Sequence, residues 1–153
     1  MNKLLADLKI TRLAILNSLA ELSTEQLNQV PAGFNNNVIW NLGHMIAAQQ
    51  GLFYLRAGFE MTVAQHYYDH YKTGSKPESF VSEQEIAELK QVLISSIDAF
   101  DADWTAGKFN NSPIFKNRYG VEINNREETL NFVVFHDGLH FGYIMAMKRL
   151  VAQ

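Results

Sequence analysis

From Asn125 to its end, this 153-residue chain has the spacing of one long amphipathic helix, and the apolar side of that helix carries two histidines. His136 and His140 are four residues apart, so they lie on one helix face, one above the other. Two imidazoles placed in this way can bind the same metal ion. Because an unpaired imidazole is costly to bury in an apolar surface, the rest of the chain has to supply partners for them.

Three further stretches have helical periodicity, and the second and third predicted helices begin at good capping residues. Together with the last stretch they predict an all-α fold, a four-helix bundle with long connections. The predicted helices are Asn2 to Ala20, Asn35–Asn37 to Arg56 with a stop at Gly58, Ser82 to Trp104, and Asn125 to the C-terminus. We expect the whole chain, residues 1–153, to form a single domain.

The connections between the predicted helices differ in character. Ser23 and Gln26 fit a capping box, which indicates a short turn after the first helix. The helical pattern breaks down from Phe59 to Val81, and a loop of this length inside a compact domain is often functional. The stretch before the last helix alternates weakly and turns near residues 117–120, which predicts a small β-hairpin.

Charge and composition exclude several classes of function. The net charge is −3 with the histidines neutral, and from this balance we expect no electrostatic footprint for nucleic acid or for an anionic membrane. It contains no cysteine, which rules out disulfides, cysteine-rich zinc sites and a cysteine nucleophile. No apolar run reaches the ~18 residues of a membrane span. We therefore expect a cytoplasmic protein without a nucleic-acid or membrane partner.

His44, in the second predicted helix, is the natural third ligand. Three neutral imidazoles with one open coordination position are typical of a catalytic site for zinc or a neighbouring divalent metal. The alternative is that these histidines are only hydrogen-bonded in the core, since the sequence does not show that the second and fourth helices are neighbours. Asp137 points about 100° away from His136 around the helix, which favours a packing or salt-bridge role over metal ligation.

Five further residues are candidates for the wall of such a pocket. Asn41 and Tyr143 each lie three residues from a candidate ligand, on the same helix face, although plain helix packing accounts for them equally well. His66 and His70 repeat the spacing of the other pair, but in a polar setting rich in tyrosine. With Tyr71, we expect them at the entrance of the pocket rather than as ligands.

Three segments resemble motifs of the DinB-like (DinB/YfiT) superfamily. VIWNLGHMIAAQQGLFYLRAG, residues 38–58, is similar to its second-helix motif, in which a histidine follows a W-x-L-G-type stretch. HDGLHFGYIMAMKRL, residues 136–150, is similar to its last-helix motif, and YKTGSKP, residues 71–77, to the turn before its third helix. The likeness extends to the order of the elements across nearly the whole chain. Tyr143 stands where this family usually has Gln, and Asp137 where Glu is common.

The resemblance implies a bundle that holds a divalent metal, commonly zinc, nickel or manganese, on three histidines, which here are His44, His136 and His140. It also implies a homodimer. Some relatives are metal-dependent transferases that use a low-molecular-weight thiol such as bacillithiol or mycothiol, others include a maleylpyruvate isomerase, and many have no assigned activity.

Three hypotheses follow from the histidines and the resemblance. The first is a metal-dependent thiol S-transferase, which joins a small-molecule thiol to an electrophile, or a related hydrolase or isomerase. The second is a metal-binding bundle without catalysis, serving sequestration or a stress-related role. The third is a structural bundle whose histidines only fill the core.

Overall fold

The computed structural model of the protein describes residues 2–152, and their fold is almost entirely helical. A small antiparallel hairpin pairs Phe115 with Ile123. The elements in chain order are α1 (Lys3–Ser18), α2 (Thr24–Asn28), α3 (Val38–Gln50), a π-helical turn (Gly51–Leu55), α4 (Gln65–Tyr71), α5 (Glu83–Thr105), β1 (Phe115–Lys116), β2 (Glu122–Ile123) and α6 (Arg126–Val151). The predicted all-α fold with one small hairpin is confirmed. Within the described residues, no helix is long and apolar enough to cross a lipid bilayer.

Side-chain caps start the helices at residues that the sequence predicts. The side-chain oxygens of Asn37, Ser82 and Asn125 each accept a hydrogen bond from a backbone N–H three residues further on. Ser23 and Gln26 form the predicted capping box, which starts the short helix α2. A cap of this kind contributes about 1 kcal/mol. Because a cap fixes where its helix begins, it also helps to set which way the histidines on α3 and α6 point.

The four long helices α1, α3, α5 and α6 form the predicted bundle. α1 packs against α5 and α6, and α3 packs against the same two helices, so α1 and α3 occupy opposite corners. The contact between α3 and α6 answers the question that the sequence left open, because these helices carry the three histidines. Two hydrophobic clusters fill the interior, one around Leu42 and Met147 and the other around Phe53, Phe100 and Phe109.

A buried ion pair lies at the centre of the bundle. Arg12 on α1 donates from Nε to Oδ2 of Asp137 on α6 over 2.8 Å, and neither side chain is exposed to solvent. The same guanidinium donates to the carbonyl of Leu93 on α5 (3.0 Å) and to the carbonyl of Met45 on α3 (3.3 Å). One side chain therefore joins all four long helices. Removing either partner would leave an unpaired charge in the core, which typically costs about 3–5 kcal/mol.

The connection from Phe59 to Val81 contains a helix, so the prediction of an irregular loop is wrong there. Residues Gln65–Tyr71 form α4, which packs against α3. The sequence offers little signal for α4, because the helix has only 7 residues and its N-cap, Ala64, makes no side-chain hydrogen bond.

The second predicted helix does not keep α-helical geometry to its end. Its last turn is π-helical, and the N–H of Arg56 donates to the carbonyl of Gly51, five residues back.

Gly43 lets α4 lie close against α3, because a Cβ at this position would be 2.3 Å from Cγ of Tyr71. We predict that Gly43→Ala lowers the free energy of unfolding by about 1–3 kcal/mol, since the ring and α4 have to move. Gly138→Ala on α6 is the matched control. Nothing lies within 4 Å of its added Cβ, so it should be neutral or should stabilise the protein by up to about 1 kcal/mol. Urea denaturation measures both, and equal effects of the two substitutions would contradict this packing.

Candidate metal centre

Three imidazoles meet between α3 and α6. His44 comes from α3 and His136 and His140 from α6, and one ring nitrogen of each lies within 4.8 Å of the others. Among residues 2–152, this is the one group of three or more histidine, aspartate or glutamate side chains that can hold a metal ion. Nε2 of His136 is 3.2 Å from Nε2 of His140, close to the ~3.3 Å between two nitrogens on one tetrahedral zinc ion. The donor set therefore fits a divalent metal.

Hydrogen bonds anchor two of the rings by their Nδ1 atoms. Nδ1 of His44 donates to the backbone carbonyl of Tyr71 (2.6 Å), and Nδ1 of His140 donates to Oδ1 of Asn41 (2.7 Å). The orientation of that amide is fixed, because Nδ2 of Asn41 donates to the carbonyl of Asn37 (2.8 Å). A ring that carries its proton on Nδ1 presents the lone pair of Nε2, as a histidine ligand with an anchored second nitrogen does.

Hydrogen bonds alone leave His136 unsatisfied. Its Nδ1 is buried without a hydrogen-bond partner, 3.9 Å from Oδ1 of Asp137, which also has none. If the proton of His136 is on Nδ1, two lone pairs face each other across the 3.2 Å that separates its Nε2 from that of His140. If the proton is on Nε2, a lone pair on Nδ1 faces the carboxylate instead. A cation between the two Nε2 atoms removes the conflict in the first arrangement, which leaves Nδ1–H directed toward Asp137.

Burial keeps two of these imidazoles neutral. It lowers the pKa of His44 to about 4, although the hydrogen bond to the carbonyl of Tyr71 acts in the opposite direction. Burial, together with the neighbouring imidazoles, lowers the pKa of His140 to about 3. Both rings are therefore uncharged at neutral pH, and the neutral imidazole is the form that binds a metal ion.

A cleft of about 280 Å³ opens beside His44 and His136. Its walls come from α3, the π-helical turn, α4 with the residues that follow it, the β-hairpin and α6. Sequence reasoning did not single out the π-helical turn or the hairpin as parts of the site, because nothing in their spacing shows that they lie beside the histidines. The cleft gives a small molecule access to the edge of the histidine group.

None of the five predicted pocket residues lines this cleft. Asn41 and Tyr71 lie behind the histidines, where each anchors one imidazole. His66 and His70 are exposed on α4, with ring centroids 6.1 Å apart, and neither lines the cleft. Tyr143 is 54% exposed and also lies away from the cleft lining. A role for any of the five in substrate binding stays a prediction.

A sequence model of the DinB superfamily matches residues 7–144, a range that contains all three histidines. The chain belongs to the DinB superfamily. This confirms the resemblance drawn from the sequence motifs, whereas the argument for a metal comes from the geometry of the histidines. No curated protein matches the chain significantly.

The depressed pKa values make the stability of this DinB-superfamily protein depend on pH when no metal is bound. His44 and His140 have an ordinary pKa of 6.5, but in the folded chain they take up a proton only near pH 4 and pH 3. The unfolded chain therefore binds more protons in this window, and stability falls as the pH is lowered through it. We predict that the free energy of unfolding decreases by about 1–2 kcal/mol for each of these histidines between pH 7 and pH 5.

Urea denaturation at the two pH values, in the presence of a chelator, measures this dependence. His140→Gln should remove its share of the pH effect. His66→Gln changes an exposed histidine of the same chain and should leave the effect intact. Identical pH dependence in the wild type and in His140→Gln would contradict the burial of a neutral imidazole at position 140.

Proposed function

We propose that this protein binds one divalent metal ion, zinc, nickel or manganese, on Nε2 of His44, His136 and His140. The observation that carries this proposal is the 3.2 Å approach of the Nε2 atoms of His136 and His140. A shared cation satisfies both lone pairs, and the anchored Nδ1 atoms of His44 and His140 leave their Nε2 atoms available. In a structural bundle whose histidines only fill the core, the same approach is a hydrogen bond from Nε2–H of His136, which turns the lone pair of its Nδ1 toward the carboxylate of Asp137.

We further propose that the metal centre serves a thiol S-transferase, in which a low-molecular-weight thiol attacks a small electrophile. Three imidazoles leave a coordination position open, and His44 and His136 border the cleft, so a small molecule in the cleft can reach that position. When bound, the metal would lower the pKa of a thiol placed there. In this proposal the chain holds the three imidazole nitrogens within 4.8 Å of one another, and the cleft beside them receives the thiol and the electrophile.

A related isomerase has less support from the cleft. Moving a proton on carbon needs a proton acceptor beside the substrate, whereas a hydrolase can use a metal-bound hydroxide. Among the described residues that line the cleft there is no aspartate or glutamate. Asp137, next to His136 in the chain, is fully buried and paired with Arg12, so it is not available to a substrate. Thiol transfer is less demanding, because a deprotonated thiol needs no separate base during the attack.

We also propose that the protein is a cytoplasmic homodimer. Phe135, Leu139 and Tyr143 leave apolar surface exposed along α6, and exposed apolar surface is typical of a contact between chains. The cytoplasmic location is inferred from a composition without cysteine. Sedimentation velocity at micromolar concentration tests the dimer, and a single monomeric species would contradict it.

Metal analysis of protein purified without an affinity tag tests the metal centre. After incubation with zinc, nickel or manganese and removal of free metal, we expect about one equivalent per chain. His136→Ala or His140→Ala should lose at least about tenfold in affinity, because each removes a ligand. His66→Ala and His70→Ala are matched controls with the same spacing and should bind as the wild type does. Less than about a tenth of an equivalent in the wild type would end every metal-dependent hypothesis.

A panel of thiols with a fluorogenic bimane electrophile tests the transferase. We expect turnover by the metal-loaded protein, and we expect a chelator or His136→Ala to abolish it. Turnover that persists unchanged in His136→Ala would remove the proposed chemistry. Stoichiometric metal binding without turnover of any thiol would favour the non-catalytic alternative, in which the bundle sequesters metal.

A further inference from the structure

The cleft beside the histidines is strongly cationic. Arg56, Lys72, Lys116 and Arg118 line it, and none of the described residues in its lining is acidic. The chain as a whole has the opposite balance, with 16 acidic and 13 basic residues. Four positive charges around a cleft of about 280 Å³ repel one another and focus a positive potential inside it. The composition of the chain therefore does not account for the positive charge of the cleft.

Among the described residues, most of this charge forms no ion pair, although Glu122 lies directly across the hairpin from Lys116. Lys72 is 3.3 Å from the carboxylate of Asp69, but both side chains are exposed and such a pair neutralises little of the potential. The guanidinium of Arg56 lies 4.2 Å from the centre of the Phe115 ring, and this contact positions the charge of Arg56 without cancelling it. Within residues 2–152, no carboxylate forms an ion pair with Arg56, Lys116 or Arg118.

Segments outside the regular bundle bring these cations to the histidines. Lys116 and Arg118 lie in the β-hairpin, Lys72 directly follows α4, and Arg56 directly follows the π-helical turn. A molecule that approaches the imidazoles through the cleft therefore passes among the four cations.

We propose that the cleft binds a small organic anion with at least two negative charges, carried by carboxylate or phosphate groups, and that this anion is the thiol or the electrophile of the reaction proposed above. The planar guanidinium of Arg118 suits a bidentate contact with one acid group, and the ammonium of Lys116 suits a second. The reacting end of the molecule then faces His44 and His136. The role of the anion as a substrate rests on the proposed function, whereas its binding requires only the cations.

Isothermal titration calorimetry of the full chain, both metal-loaded and chelator-treated, tests this anion site. The probes are succinate, inorganic phosphate and, as the uncharged counterpart, succinamide. We expect succinate or phosphate to bind both forms of the protein with a dissociation constant of about 1 mM or below. Binding should weaken when NaCl is raised from about 50 mM to about 200 mM, because salt screens exposed charges. The anion that binds more tightly identifies the acid group that the cleft prefers.

Charge-removing variants locate the site. Arg118→Gln and Lys116→Gln should each weaken binding of the preferred anion about tenfold, and Arg118→Lys should recover part of the loss. Both side chains are exposed, so these changes leave the core intact, which circular dichroism verifies. Lys3→Gln is the matched control, because it removes the same charge from a side chain that is 86% exposed at the start of α1. It should bind as the wild type does.

Three results would overturn the anion site: no binding of either anion by the chelator-treated protein, equal binding of succinamide, or unchanged binding in Arg118→Gln. These results are distinct from failure of the metal centre. Loss of anion binding with one equivalent of metal retained overturns the anion site alone. Absence of metal binding, with succinate still bound by the wild type and weakened in Arg118→Gln, overturns the metal-dependent reaction and leaves the anion site standing.

Discussion

The ion pair between Arg12 and Asp137 is the interaction that connects the fold to the candidate site. Both side chains are fully buried, and we interpret such a pair as selecting one arrangement of helices, because leaving either charge unpaired in the core is so costly. Its guanidinium also donates to the carbonyl of Met45, the residue after His44. Its carboxylate belongs to the residue after His136. Through Arg12, α1 therefore contacts both helices that carry the imidazoles, next to His44 and next to His136.

The bundle and its connections have separate roles in the site. α3 and α6 hold the three imidazoles on rigid elements, and hydrogen bonds fix the direction of the His44 and His140 rings. The connections supply what surrounds them: the backbone of α4 anchors one ring through Tyr71, and the hairpin brings in Lys116 and Arg118. Connections vary more readily than packed helices, so the same bundle can retain its histidines while the chemistry of the cleft wall changes.

The features that depend on residues a few positions apart, namely the helix caps and the histidine pair, could be predicted from the sequence. Asn37, Ser82 and Asn125 were recognisable caps because capping depends on residues three positions apart. His136 and His140 were recognisable as a pair for the same reason, and their role as ligands stays a prediction.

The remaining features depend on contacts between distant parts of the chain. Arg12 and Asp137 are 125 positions apart, and the cleft gathers cations from three separate connections. Neither has a signature in a single sequence. α4 was missed because it is short and lacks a side-chain cap.

Anomalous diffraction from crystals of the protein grown with zinc tests the convergence of the three imidazoles most directly. Data recorded on both sides of the zinc absorption edge should show one peak between α3 and α6, about 2.0–2.1 Å from Nε2 of His44, His136 and His140. A folded protein with no peak between these helices, or with its zinc held by His66 and His70 instead, would contradict the account.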